Sequence, residues 1–234
     1  MPIEQVNDIH MYYETIGQGF PLILIPGLRS NVSEYGPIIE ILAKEYHVVA
    51  LDNRGAGRTD KPDIPYSIEM MADDTVGLLE ALGIHQAHIL GVSMGGKIAA
   101  DIALRYPERV KKLILVSTSL KRQEKSMPIS RWIDFALRLP LLQRMDKYPQ
   151  PYYASLRQRE AWRNYDCMDR LSQIKAPTLI MHGRKDKVAS YELAEQIQAG
   201  INGSSLIPFS DGHVFLFVQP RSLAEAVLAF LNRL

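Results

Sequence analysis

The stretch Leu90-Gly91-Val92-Ser93-Met94-Gly95-Gly96 sets one serine between two glycines, each two residues away. It follows the apolar run Ala87 to Leu90 and precedes the helical pattern Lys97-Ile98-Ala99-Ala100-Asp101-Ile102-Ala103-Leu104. A strand, a sharp turn and a helix therefore meet at Ser93, which restricts the chain to folds in which a strand feeds directly into a helix. Gly91 and Gly95 leave out side chains that would crowd a turn holding Ser93 in an unusual backbone conformation. Such a turn lifts the hydroxyl above the sheet edge. It also starts a helix, so the amide of Met94 and the positive helix end face any negative charge that develops beside Ser93.

The rest of the chain supplies the sheet that this turn needs. A short first strand, the turn Asn7-Asp8 and the β-prone Ile9 to Ile16 predict antiparallel edge strands. Pro21 to Ile25, His47 to Asp52 and Lys112 to Ser117 are apolar runs too short for helices and suited to strands buried on both faces. Helices are predicted over Glu34 to Glu45 with Pro37 in the first turn, over Ile68 to Leu82 after the N-cap Ser67, and over 94–106, ending before Pro107. Regular alternation of strand and helix predicts an α/β fold, a mostly parallel sheet with helices on both faces.

The alternation stops between Ser119 and Lys175, a stretch rich in Arg, Met, Trp and Tyr. Helical patterns at Arg131 to Leu139 and Tyr153 to Met168 predict an inserted helical cap, residues 119–175, on a core made of residues 1–118 and 176–234. The cap follows the sixth strand. The sheet resumes at Pro177 to Gly183, followed by helix Ser190 to Ala199, strand Ser205 to Phe209 and helix Pro220 to Leu231.

A serine hydroxyl is a weak nucleophile at neutral pH and needs a base, with a third group to orient that base. Loops leaving the C-terminal ends of parallel strands share one rim, where ligands bind. Asp186 follows the strand ending at Gly183, and His213 follows the strand ending at Phe209, so both suit the role. His10, His47, His85 and His88 precede or begin strands, on the opposite edge of a parallel sheet; His182, at a strand end, reads as a packing or hydrogen-bonding residue. Asp211 reads as a turn residue. Asp52 reads as the partner of an ion pair anchoring the Arg-rich loop Asn53 to Asp60. Cys167 reads as a small buried hydrophobe.

Composition narrows the function classes. A net charge of +1 over 234 residues gives no reason to expect a nucleic-acid partner. Residues 120–170 nevertheless carry 11 Lys or Arg against 6 Asp or Glu, a basic island on a mildly acidic body. This is either a solvated face or, through Arg131, Arg138, Arg144 and Arg157, an attractor for an anionic substrate. One cysteine excludes an intramolecular disulfide and a thiolate zinc framework, and no ligand-like spacing of His and carboxylates suggests another metal site. The amino-terminal residues lack signal-peptide order, and no apolar stretch approaches the ~20 residues that span a bilayer, so a cytoplasmic protein without a membrane partner is expected.

Five pieces in order resemble the α/β-hydrolase superfamily, within it the small carboxylesterases, enol-lactonases and cofactor-free haloperoxidases. They are Ile25-Pro26-Gly27-Leu28, Leu51-Asp52-Asn53-Arg54-Gly55-Ala56-Gly57-Arg58, Gly91-Val92-Ser93-Met94-Gly95-Gly96, His182-Gly183-Arg184-Lys185-Asp186-Lys187-Val188 and Gly212-His213. The order Ser93, Asp186, His213 is also that of α/β-hydrolases. The resemblance implies Ser93 as nucleophile, His213 as general base and acid, Asp186 as orienter, and the backbone amides of Leu28 and Met94 as oxyanion hole. Where many relatives have His-Gly, this chain has Pro26-Gly27.

The implied reaction is hydrolysis of a small carboxylic ester, or a lactone, through an acyl-enzyme, with no cofactor. Lactonase, carbon–carbon bond hydrolase and perhydrolase share the machinery. A small-molecule receptor or signalling protein on the same fold, with slow or single turnover, is the alternative from another class.

Overall fold

The computed structural model describes residues 2–122 and 147–233. Among these, the apolar runs and β-prone segments form eight strands: β1 (Ile3–Val6), β2 (Ile9–Ile16), β3 (Pro21–Ile25), β4 (His47–Leu51), β5 (Ala87–Val92), β6 (Val110–Val116), β7 (Thr178–Gly183) and β8 (Ser205–Phe209). They join in one sheet in the order β1-β2-β4-β3-β5-β6-β7-β8. The first two strands form the antiparallel hairpin expected around Asn7, whose φ of 51° supplies the turn. Of these two, only β1 lies at the sheet's edge, because β2 also pairs antiparallel with β4. From β4 to β8 every pairing is parallel, so the loops after β3, β4, β5, β7 and β8 open onto one rim.

Side chains alternate across each strand, and this splits the core in two. Ile89 of β5 joins a cluster with Leu79 of α2 (Ile68–Ala81) and Ile98 of α3 (Met94–Arg105), while its neighbour Leu90 joins another with Leu42 of α1 (Gly36–Leu42). The remaining helices are α4 (Tyr152–Asn164), α5 (Tyr191–Gly200), α6 (Phe215–Val218) and α7 (Pro220–Leu231). α5 packs on β7 on the same face as α2 and α3, and α7 packs with α1 on the other, so both faces are covered.

Two predicted helices differ from what forms. In place of one helix over Glu34 to Glu45, a 3-10 turn occupies Val32–Tyr35 and α1 ends at Leu42. Asn31 and Glu34 close a reciprocal capping box that starts the turn early, and Pro37 lies in the first turn of α1 as expected. In place of a helix over Tyr153 to Met168, α4 stops at Asn164, because Tyr165 turns extended and its carbonyl accepts the Lys97 ammonium at 2.9 Å. A 3-10 turn, Met168–Gln173, then leads to β7. The short α6 has no counterpart among the predicted helices. The helical pattern at Arg131 to Leu139 lies outside the described residues.

The chain leaves the sheet after β6 and returns before β7, and its outgoing and incoming stretches touch. Cys167 N–H donates to Leu120 O at 3.0 Å, Arg122 N–H to Asp166 Oδ2 at 2.9 Å, and the buried Lys97 Nζ to both Lys121 O and Tyr165 O at 2.9 Å. No helix among the described residues is long and apolar enough to cross a membrane.

Candidate active site

β5 delivers Ser93 to the rim in the left-handed backbone region, φ 53° and ψ −111°. A non-glycine residue there costs about 1–3 kcal/mol and persists only where its surroundings hold it. Three hydrogen bonds do so. Ser93 N–H donates to Val116 O at 2.8 Å, and Ser93 O accepts from Gly96 N at 3.0 Å and from Thr118 Oγ at 2.7 Å. The glycines are steric requirements: a Cβ on Gly91 would overlap the Gly95 carbonyl, and a Cβ on Gly95 would overlap the carbonyls of Ile25 and Pro26.

The loops after β7 and β8 bring two further side chains to this serine. His213 Nε2 lies 3.1 Å from Ser93 Oγ, and His213 Nδ1 lies 2.7 Å from Asp186 Oδ2. An ionised carboxylate only accepts, so Nδ1 carries the ring proton and the Nε2 lone pair faces the Ser93 hydroxyl. Asp186 is 6 % exposed, and burial alone would raise its pKa. Hydrogen bonds from His182, His213 and the Ala189 amide outweigh burial and hold the carboxyl well below the usual carboxylate range. Val188 N and Ala189 N donate to Oδ1 at 2.8 and 3.0 Å. His182 is fully buried, with Nε2 2.8 Å from Ala189 O and 3.2 Å from Asp186 Oδ2. Its place is behind Asp186, away from Ser93.

The other residues weighed from the sequence stand elsewhere. Asp52 accepts from Val32 N at 2.8 Å and pairs with Arg58 at 3.3 Å, which anchors the loop it precedes. Asp211 is bonded to Gln219. Cys167 is fully buried in the core, and burial pushes its thiol up to about 11. His10 corrects one expectation: because β2 is antiparallel, its start reaches the same rim as the loop after β4, where His10 Nδ1 meets Asp60 Oδ2 at 3.0 Å. Arg157 pairs at the surface with Asp63 and Glu160. Arg131, Arg138 and Arg144 lie outside the described residues.

Ser93 and His213 open into a cavity of about 260 Å³ lined also by Gly27, Leu28, Tyr35, Trp162, Leu216 and Phe217. Trp162 comes from α4, and Leu216 and Phe217 from α6. Nothing in the sequence ties either helix to Ser93 apart from the nearness of α6 to His213. Gly27 brings the loop after β3 against the serine, since a Cβ there would stand 3.4 Å from both Ser93 Cβ and Val92 O. Asn53 Nδ2 holds Pro26 O at 2.9 Å, and Tyr35 Oη accepts from Gly27 N at 3.2 Å. Leu28 follows directly. Met94 begins α3, whose first amides point out of the helix toward the rim. The arrangement can deprotonate an alcohol beside two backbone amides at the edge of an apolar cavity.

Known proteins share this frame. Residues 21–151 match the sequence pattern of the alpha/beta hydrolase fold. An AB hydrolase superfamily protein from Bacillus subtilis is 28% identical over 98% of this chain and 98% of its own length. The 3-oxoadipate enol-lactonase 2 of Acinetobacter baylyi is 27% identical over 97% of this chain and 95% of its own. The solved structure of a mutant meta-cleavage product hydrolase from Pseudomonas fluorescens superposes with a TM-score of 0.84 at 27% identity, covering 99% of this chain and 97% of that one.

Proposed function

The chain belongs to the alpha/beta hydrolase fold family, and on that premise we propose that it is a serine hydrolase that cleaves small carboxylic esters through an acyl-enzyme. The observation that carries this reading is the bridge made by His213, 3.1 Å from Ser93 Oγ on one side and 2.7 Å from Asp186 on the other, at an apolar cavity. His213 Nε2 takes the Ser93 proton as Oγ bonds to the ester carbonyl carbon. The amides of Leu28 and Met94 donate to the oxyanion, and His213, now protonated, gives its proton to the departing alcohol. Water then attacks the acyl-enzyme by the same route and frees the acid. Asp186, ionised throughout the neutral range, holds the ring in the required tautomer and stabilises its charged form. Residues 119–175 act as the cap, and among its described residues Trp162 lines the cavity.

Lactone hydrolysis is a second reading of the same site, favoured by the full-length similarity to an enol-lactonase. A panel of short p-nitrophenyl esters and small lactones, run on the wild type and on Ser93→Ala, tests both. Multiple turnover that falls by about 10⁴-fold or more in the variant is expected. Unchanged turnover in Ser93→Ala, or a single stoichiometric burst in the wild type, would refute an acyl-enzyme hydrolase.

A further inference from the structure

Gln158 is fully buried on α4, and its amide ties together two loops that leave different strands. Its Oε1 accepts from the Arg29 backbone N–H at 3.1 Å, in the loop after β3. Its Nε2 donates to Arg54 O at 2.7 Å, in the loop after β4. The two partners fix the orientation, since a flipped amide would set oxygen against the Arg54 carbonyl and N–H against the Arg29 N–H. Gln150, itself buried, donates from Nε2 to Gln158 Oε1 at 3.1 Å and to Gly55 O. One turn before Gln158, Ser155 Oγ accepts from Arg29 Nη1 at 3.1 Å.

These contacts converge on the segment that carries the Leu28 amide. Pro26 O is held by Asn53 and Gly27 N by Tyr35, while beyond Leu28 the Arg29 N–H is held by Gln158. Arg29 has φ 66°, a left-handed conformation that a long side chain adopts only when its neighbours enforce it. Without the acceptor at 158, the Arg29 amide would lose the hydrogen bond next to Leu28 that helps to hold this left-handed conformation. An oxyanion donor is effective only when it is already aimed before the charge forms, and a displacement of about 1 Å can cost about 10²-fold in rate.

We propose that Gln158 is a positioning residue: from α4 it fixes the loop 26–29 so that the Leu28 amide points at the oxygen of the carbonyl attacked by Ser93. This rests on the hydrolase reading above. A bond that merely docked α4 would affect stability and leave the chemistry of the folded protein alone, so the two roles separate in kinetics.

The test compares wild type, Gln158→Met, Gln158→Glu and, as a control on the same helix, the exposed variant Glu160→Gln. Measured are kcat and KM on p-nitrophenyl butyrate, the inhibition constant of phenylboronic acid, which adds to a serine as a tetrahedral anion, and thermal unfolding. Gln158→Met keeps length but has no acceptor; its kcat should fall about 10- to 100-fold with KM within about threefold, and the boronic acid should weaken by a similar factor. Gln158→Glu, neutral because the position is buried, keeps an acceptor opposite Arg29 and an O–H donor opposite the Arg54 carbonyl and should stay within about fivefold of wild type in both quantities; Glu160→Gln should match wild type.

Folded Gln158→Met with kcat and boronic-acid affinity within twofold of wild type would overturn the proposal, as would equal losses in both variants at 158. Should Gln158→Met not fold, Gln158→Glu decides alone, and a kcat loss beyond about 50-fold in the folded protein overturns it. Failure of the hydrolase reading looks different, because wild type would then show no turnover that depends on Ser93.

Discussion

Lys97 carries a charge into the core one turn past Ser93, and the consequence is a stability that rises with pH. The side chain is fully buried, and burial lowers its pKa from 10.5 to about 8, against the opposing pull of Cys167 and Asp166. Below pH 8 the ammonium is charged in both folded and unfolded chains, and the cost of burying it is carried in full. Between pH 8 and 10.5 the unfolded chain still binds the proton and the folded chain does not, so stability increases with pH across that window. For a folded value near 8, the gain between pH 7.5 and 9.5 is about 2 kcal/mol. The Cys167 thiol, raised to about 11, works in the opposite direction from pH 9 upward, as do buried tyrosines such as Tyr35 and Tyr66, raised to about 12, above pH 10. The measurement is therefore a difference. Urea unfolding of wild type and Lys97→Met at pH 7.5 and 9.5 should show wild type gaining about 2 kcal/mol relative to the variant. Lys97→Met should be the less stable of the two at the upper pH, because it strips the carbonyls of Lys121 and Tyr165 of their donor. Parallel pH profiles in the two proteins would refute the assignment of a lowered lysine pKa at this position.

Two other substitutions probe the site itself. Asp186→Asn should leave the fold intact but favour the wrong His213 tautomer and reduce kcat by about 10⁴-fold; esterase assays that find less than a tenfold loss would argue against an orienting role. Gly95→Ala should destabilise the protein by at least about 1–3 kcal/mol, since its Cβ would overlap the Ile25 carbonyl where α3 starts; an unchanged urea midpoint would contradict this steric account.

The fold was readable in the sequence because buried parallel strands are local runs with defined ends, such as Pro21 to Ile25 and Lys112 to Ser117. Ser93, Asp186 and His213 could be selected because each follows such a strand, and topology puts all three at one rim. The early start of the turn before α1 was also encoded locally, in the Asn31–Glu34 spacing that makes a capping box. What escaped reading depends on contacts remote in the chain. Gln158 meets Arg29 across 129 positions and Arg54 across 104, and no periodicity in α4 marks it. Trp162 reaches the cavity, and α4 ends at Asn164, for reasons that also lie in another part of the chain, the latter in Lys97. His10 reaches the rim because β2 runs antiparallel to its neighbour, a direction that the alternating strand–helix pattern does not encode.

The touching of residues 120–122 with 166–167 over Lys97 separates two design problems within one chain. Because the excursion begins and ends at one place between adjacent strands, changing its length costs only a slowly growing loop-closure entropy and leaves the register of β6 on β7 untouched. The stretch between those contacts can thus be lengthened, shortened or exchanged as a graft while Ser93, Asp186 and His213 keep their places, provided the replacement retains the lysine's two carbonyls and an acceptor for the Arg29 amide.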